Sequence, residues 1–345
     1  MEIARLDLGG RQTRVLLGDS GILNTAVPGL LVCDAAVAKV PLLRSWPDGA
    51  VPRVVLPPGE RSKQWDVFHT LLRTCAERNL TRNDRIVAVG GGAVCDLSAF
   101  AAAVYMRGVE LTLVPTTLLA MVDAAIGGKT GIDFLGYKNL VGAFYPADSV
   151  LIVPDFLDTL SEREFRSGLA EVLKAAMLGD EELLALLEHD RTAVLARDPE
   201  ALRELISRAV AVKAGVVNRD FTERGERAHL NLGHTFGHAL EAVLGFGVLT
   251  HGEAVAWGIG RALDLGQRIG ITDPAWAERA RTLLDDYGYA LKRPGGTTAA
   301  IIAAMQKDKK RRRDGLPFVL QRGVGETELR EVSSSQVAAV LDSTA

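Results

Sequence analysis

A chain of 345 residues, 48% hydrophobic and 24% charged, is long enough to bury the cores of two domains and has the composition of an ordinary globular protein. Its formal net charge of -3 gives no general attraction to nucleic acid or to an anionic membrane, and no uncharged apolar stretch reaches the roughly 18 residues of a membrane span. Three scattered cysteines, Cys33, Cys75 and Cys95, with no CxxC pair, argue against a disulfide framework and a sulfur-ligated zinc site.

The opening MEIARLDLGG carries charges and no long apolar run, so no signal peptide is expected there and a cytoplasmic location is. Short runs rich in Val, Ile and Leu then follow at RVLLG (14–18), GLLVCD (29–34), RVVLP (53–57), RIVAVG (85–90), ELTLVP (110–115) and around 148–154. Segments of helical length, such as 62–78, separate them. Nearly continuous apolar strands spaced in this way predict a parallel sheet covered by helices on both faces. After about Pro154 the pattern changes. SEREFRSGLAEVLKAAML (161–178) places Glu164 three residues after Ser161, a capping-box spacing, and its apolar positions then recur at helical intervals. Further helices are expected over 181–190, 199–218, 231–244, 251–269 and 274–287, with FVLQRG (318–323) as a short strand. The expectation is therefore an α/β N-terminal domain with a Rossmann-like parallel sheet (1–156) and a helical C-terminal domain (157–345). The joint near 154–160 is short, so the two are expected to pack closely around a cleft.

VAVGGGAVCD (87–96) lies between a predicted strand and an apolar helix. Contiguous Gly90, Gly91 and Gly92 allow a ligand to approach the backbone, and the helix start offers free N–H groups. This is not the GxGxxG fingerprint, and GGKT (127–130) lacks the upstream glycine of a Walker A loop. Asp123, Lys129, Lys138 and Asn139 crowd into a glycine-rich, otherwise apolar segment, which suits a pocket for an anionic substrate. In NLGHTFGHAL (231–240), His234 and His238 share a helix face at i,i+4, a spacing that suits either a metal clip or a packed helix. Glu171, three residues before Lys174, and His251 at a helix start extend the set to a carboxylate and imidazoles able to hold a catalytic divalent ion, zinc first.

Taken in order, PPGERSK (57–63), GGGAVCD, YMRG (105–108), VPTTLLAMVDAAIGGKTGID, KNLVGAFY, SGLAEVLK (167–174), NLGHTFGHALE, HGEAVAWG and MQKDKK (305–310) resemble the 3-dehydroquinate synthases of the sugar phosphate cyclase superfamily. The resemblance implies a carbon–oxygen lyase that converts 3-deoxy-D-arabino-heptulosonate 7-phosphate into 3-dehydroquinate and phosphate in the shikimate pathway. It implies NAD, one divalent ion (zinc or cobalt), a phosphorylated sugar-acid substrate and a homodimer. Carried over by position, the metal ligands are Glu171, His234 and His251, while His238 joins the phosphate environment. Asp123, Lys129, Asn139, Lys174, Lys213, Arg227, Asn231 and one of the paired Lys309 and Lys310, assigned as Lys309, would line the substrate site. Arg107 would reach the phosphate pocket of a neighbouring subunit. Asp34, Glu60, Lys63, Gly91, Gly92, Asp96, Thr116, Thr117, Asp123, Lys129 and Lys138 would meet NAD.

Some positions depart from the family pattern. Cys95, Ala99 and Tyr137 stand where glycine is common, and Ala124 and Ala125 replace frequent serines. The first two are expected to shift helix packing under the cofactor. Three rival enzymes remain: a cyclase acting on sedoheptulose 7-phosphate, an aminodehydroquinate synthase, and a glycerol-dehydrogenase-like enzyme, which would not need the phosphate-clamping lysines. From another class, KDKKRRRDG (307–315) suggests a nucleic-acid patch. It lacks interleaved aromatics, so no nucleic-acid partner is expected.

Overall fold

The fold is that of a computed structural model in which residues 1–44, 46–47, 51–245, 247–308 and 315–343 are described. Two compact units emerge from the contacts: Met1–Ser161 with Leu202–Thr222, and Glu162–Ala201 with Glu223–Ala345. They are not a single cut of the chain, because residues 202–222 pack with the first unit.

The first unit is built on a seven-stranded sheet. In chain order its strands are β1 (Glu2–Leu8), β2 (Arg11–Leu17), β3 (Leu30–Asp34), β4 (Arg53–Leu56), β5 (Arg85–Gly90), β6 (Glu110–Pro115) and β9 (Ser149–Ile152). Across the sheet they run β1-β2-β9-β6-β5-β3-β4, with every pair parallel except the β1–β2 hairpin. The apolar runs explain the central strands: β3 is buried along its whole length, and β5 and β6 are buried after their first residue. Strand β1 alternates instead, burying Leu6 and Leu8 while Arg5 and Asp7 face outward, as an antiparallel edge strand with one wet face does. Helices α1 (Pro41–Arg44), α2 (Trp65–Glu77) and α3 (Gly92–Val104) belong to this unit. A separate hairpin, β7 (Lys129–Phe134) and β8 (Tyr137–Phe144), turns through Leu135 and Gly136, both at positive φ (51° and 80°). Two consecutive left-handed residues match the twist of a two-residue hairpin turn.

The second unit is mainly helical. It contains α4 (Glu162–Gly179), α5 (Glu181–His189), α6 (Arg191–Leu195), the start of α7 (Pro199–Arg219), α8 (His234–Leu244), α9 (His251–Arg268), α10 (Pro274–Asp286), α11 (Thr298–Asp308) and α12 (Ser334–Ser343). A two-stranded ribbon, β10 (Leu316–Gly323) and β11 (Glu326–Val332), completes it. Local chemistry sets the helix starts. Asp180 accepts from the Leu183 N–H, Asp273 caps α10 ahead of Pro274, and Thr250 and Glu253 form a reciprocal capping box on α9. Helices α4 and α9 are buried over most of their length and form the core of the unit.

Candidate active site

In the first unit, the sheet topology places a crevice-forming point between β3 and β5, because the chain crosses from β4 over β3 to reach β5. Ligands of open α/β sheets gather at the carboxyl ends of strands beside such a switch. Asp34 ends β3, and Gly90 ends β5 and leads into α3, whose first residue is Gly92. A Cβ on Gly91 would lie 3.2 Å from Thr117, and one on Gly92 3.1 Å from the Ala124 side chain, so the loop is packed close to the turn after β6. Thr116 donates its N–H to the Gly90 carbonyl at 3.0 Å, tying that turn to the glycine loop. Asp34 accepts from the N–H groups of Ala36 and Val37, both at 2.8 Å.

Lys63 follows Glu60 in a short 3-10 turn and is 3% exposed. Its ammonium donates to Asp96 Oδ2 at 2.7 Å and to Asn139 Oδ1. Burial pushes the Lys63 pKa down, but the carboxylates of Asp96, Glu60 and Asp133 outweigh it and raise the value. Asn139 takes a left-handed φ of 52° in β8 and donates its N–H to Asp133. Lys213, carried by α7, donates to both the carboxylate and the carbonyl of Asp123. Lys129 opens β7, Lys138 lies in β8, and both are exposed. Arg107 is exposed as well, at a left-handed φ of 63° just after α3. The first unit thus holds all of the residues expected to meet NAD.

Four departures from the family pattern meet in one place. Cys95, Ala99, Ala124 and Ala125 line a single pocket of the first unit together with Asp96 and Lys129. Their spacing along the chain gave no sign of this. Helix α3 runs unbroken through Cys95 and Ala99, both buried. Tyr137 sits instead at the start of β8, half exposed.

In the second unit, α4, α8 and α9 bring together Glu171, His234 and His251, whose ligand atoms all lie within 4.8 Å of one another. His251 Nε2 is 3.2 Å from Glu171 Oε1, and His234 Nε2 is 3.7 Å from the same oxygen. Glycines permit this convergence. A Cβ on Gly252 would fall 2.2 Å from the Ser167 carbonyl oxygen, and one on Gly258 would fall 2.0 Å from that of Gly233. Helices α4, α8 and α9 therefore touch backbone to backbone beside the cluster.

The electrostatics suit a cation. Burial works against the Glu171 charge, yet Lys174, His251 and His234 hold its carboxyl well below the ordinary range. Burial, then the Lys174 charge, keeps His234 well below its usual value and so neutral. His251 titrates at about 9, because Glu171 and Glu241 outweigh its burial. One carboxylate and two imidazoles, close enough to share a centre, fit a divalent ion with positions left open for substrate oxygens.

His238 is exposed, with its ring 5.1 Å from that of His234. Lys174 is buried and paired with Glu171. Arg227 is 2% exposed, and Asn231 donates to Glu223 at 2.9 Å. Lys309 and most of KDKKRRRDG lie outside the described residues.

A dinucleotide-type sheet joined in one chain to a helical unit with a carboxylate–histidine centre defines a class of two-unit metal-dependent enzymes. The comparisons narrow it. Residues 53–167 match the 3-dehydroquinate synthase N-terminal family model, and residues 168–311 match the 3-dehydroquinate synthase C-terminal model. A 3-dehydroquinate synthase of Xanthomonas campestris pv. campestris (strain 8004) is 43% identical over 95% of this chain and 92% of its own. The chain belongs to the 3-dehydroquinate synthase family. Among solved structures, the fold resembles ValA, a 2-epi-5-epi-valiolone synthase from Streptomyces hygroscopicus subsp. jinggangensis 5008 with NAD+ and Zn2+ bound. That match has a TM-score of 0.87 and 28% identity, with 96% of each chain covered. A 2-deoxy-scyllo-inosose synthase complexed with carbaglucose-6-phosphate, NAD+ and Co2+ shares the fold at TM-score 0.87, with 24% identity and 99% of each chain covered.

Proposed function

We propose that this chain converts 3-deoxy-D-arabino-heptulosonate 7-phosphate into 3-dehydroquinate and phosphate, with NAD and one zinc or cobalt ion as cofactors. The carrying observation is the convergence of Glu171, His234 and His251 in a chain that follows 3-dehydroquinate synthases over nearly its whole length. Residues 1–156 are assigned the NAD-binding role, and residues 157–345 the metal and most of the substrate contacts.

When bound, NAD would supply a hydride acceptor and donor for the substrate C5, and the divalent ion would supply polarisation of the neighbouring oxygens. Glu171, His234 and His251 would hold the ion, and the glycine loop with Asp34, Lys63 and Asp96 would hold the dinucleotide. Lys129, Lys213 and Arg227 supply positive charge for a substrate carrying both phosphate and carboxylate, through charge-assisted hydrogen bonds. His238 shares a face of α8 with His234, whereas Asn231 ends the 3-10 turn before that helix, which starts at His234 and not at 231 as expected; the two would meet the leaving group and a substrate hydroxyl. A ketone next to the C6–H acidifies that proton, and the substrate's own phosphate oxygens are assigned as its acceptor while phosphate departs. The overall conversion closes the carbocycle with no net consumption of NAD.

A homodimer belongs to the same reading. Val104 and Met106, 43% and 44% exposed, precede the Arg107 assigned to the neighbouring subunit's phosphate. So does a cytoplasmic location, which suits three free buried thiols. Among the described residues no helix is long and apolar enough to cross a membrane.

The test supplies the heptulosonate phosphate with NAD and Zn2+ and follows phosphate release together with the carbocyclic product. Matching release and product, with no accumulation of NADH, is expected. Turnover of sedoheptulose 7-phosphate but not of the heptulosonate would overturn the reading.

A further inference from the structure

His251 has a carboxylate at each of its ring nitrogens. Nε2 faces Glu171 at 3.2 Å, on the side where His234 also converges. Nδ1 faces Glu241 Oε2 at 4.0 Å. Glu241 is only 6% exposed and lies on α8, seven residues after His234 and three after His238, so all three share one helix face. Helix α8 therefore presents a metal-facing imidazole of its own and a carboxylate directed at the imidazole of α9.

Two arrangements could use Glu241. His238, Glu241 and His251 also place ligand atoms within 4.8 Å of one another, which would suit a second cation. The chemistry of the ring decides between them. A neutral imidazole has one lone pair for a metal and one N–H. Once Nε2 of His251 serves the Glu171–His234 centre, Nδ1 carries the proton and is a donor. A second ion at Nδ1 would require that proton to leave as well, giving an imidazolate bridge. A buried carboxylate facing Nδ1 instead fixes the tautomer and orientation of the ring and raises the basicity of the ligating nitrogen.

We infer that Glu241 is a positioning residue for the metal centre, accepting the Nδ1 proton of His251 so that Nε2 is presented to the ion held with Glu171 and His234. The inference rests on the metal assignment made above. Because Nδ1 and Oε2 stand 4.0 Å apart, a small approach of the two side chains completes the hydrogen bond.

The experiment measures Zn2+ affinity of the purified full chain by competition with a chromogenic chelator, and stoichiometry by elemental analysis. It compares the unsubstituted chain with Glu241→Gln, Glu241→Ala and His234→Ala, and records the Co2+ visible spectrum of each. Expected are one ion per chain, about 10- to 100-fold weaker binding for Glu241→Ala, and a smaller but clear loss for Glu241→Gln. The Co2+ band should shift in both Glu241 variants. Glutamine fills the same space, so a packing role alone would leave its affinity unchanged, and that result would overturn the inference. Two ions in the unsubstituted chain and one in the Glu241 variants would also overturn it, making Glu241 a ligand in its own right. If His234→Ala keeps full affinity, the metal assignment itself fails. If His234→Ala loses the ion while both Glu241 variants keep it, only the present inference fails.

Discussion

At the scale of single residues, the first unit depends on a charge pair whose lysine is buried and whose aspartate is partly so. Lys63 is almost wholly buried and its ammonium lies 2.7 Å from Asp96. Truncating one partner of such a pair leaves the other charge desolvated, which costs about 3–5 kcal/mol, whereas replacing both with neutral groups is far less damaging. Lys63→Met is therefore expected to destabilise the chain by about 3–5 kcal/mol, with the double change Lys63→Met, Asp96→Asn recovering much of the loss. Urea unfolding of the two single variants and the double variant measures this, and additive losses would contradict it. The same pair has a pH signature. The folded Lys63 pKa lies above its ordinary 10.5, so its contribution is complete below that pH and disappears as the pH rises through the folded value. Alkaline destabilisation above pH 10.5 should accordingly be weaker in Lys63→Met.

At the scale of elements, the Glu171–His234–His251 cluster is a helix-packing product. Gly252 follows His251, and Ser167 precedes Glu171 by one turn. The Gly252 N–H donates to Ser167 Oγ at 3.0 Å, and a Cβ at Gly252 would sit 2.2 Å from the Ser167 carbonyl oxygen. Gly252→Ala must push α9 away from α4, at a cost of about 3 kcal/mol, and should lose the bound ion with it. Gly260→Ala on the same helix meets only the flexible tip of Leu291, at 3.3 Å, and should be near neutral. Thermal denaturation and Zn2+ titration of the two variants check the contrast, and equal behaviour would remove packing as the cause.

The sequence pattern made most of these helices and the central strands legible, because apolar periodicity is a local signal; the caps Asp180, Thr250 and Asp273 emerged only with the structure. Strand β1 was not legible, since Arg5 and Asp7 break its short apolar alternation. The β7–β8 hairpin was hidden because Leu135 occupies a left-handed turn position that asparagine or glycine ordinarily advertises. The ribbon partner β11 carried too many charges to stand out. Spacing alone left His234 and His238 open between a metal clip and a packed helix, and the structure directs His234 towards residues of two other helices. Glu241 sat in view within NLGHTFGHALE and signalled nothing, because only the packing of α8 on α9 brings it to His251.

At the scale of the whole molecule, the two kinds of ligand should stabilise different stretches of chain. A ligand that binds only the folded state contributes RT ln(1 + [L]/Kd), about 2.7 kcal/mol at a hundredfold excess over Kd. That contribution resists local opening wherever the binding residues are made, so it has an address as well as a magnitude. Zn2+ binds residues of α4, α8 and α9 in the proposed reading, and should slow amide exchange in peptides from Glu162–Gly179, His234–Leu244 and His251–Arg268. NAD should slow exchange in β5 and α3, around the glycine loop, and in the β7–β8 hairpin that carries Lys129, Lys138 and Asn139. Hydrogen–deuterium exchange on the full chain, with each ligand alone and with a chelator present, separates the two patterns. Protection by Zn2+ centred on the glycine loop, or by NAD centred on α8 and α9, would reverse the assignment of cofactors to units. In Glu241→Gln, the Zn2+ protection of His251–Arg268 should weaken first. The α8 peptide keeps His234 as a direct ligand, whereas α9 holds its ligand through a ring that has lost its charged acceptor.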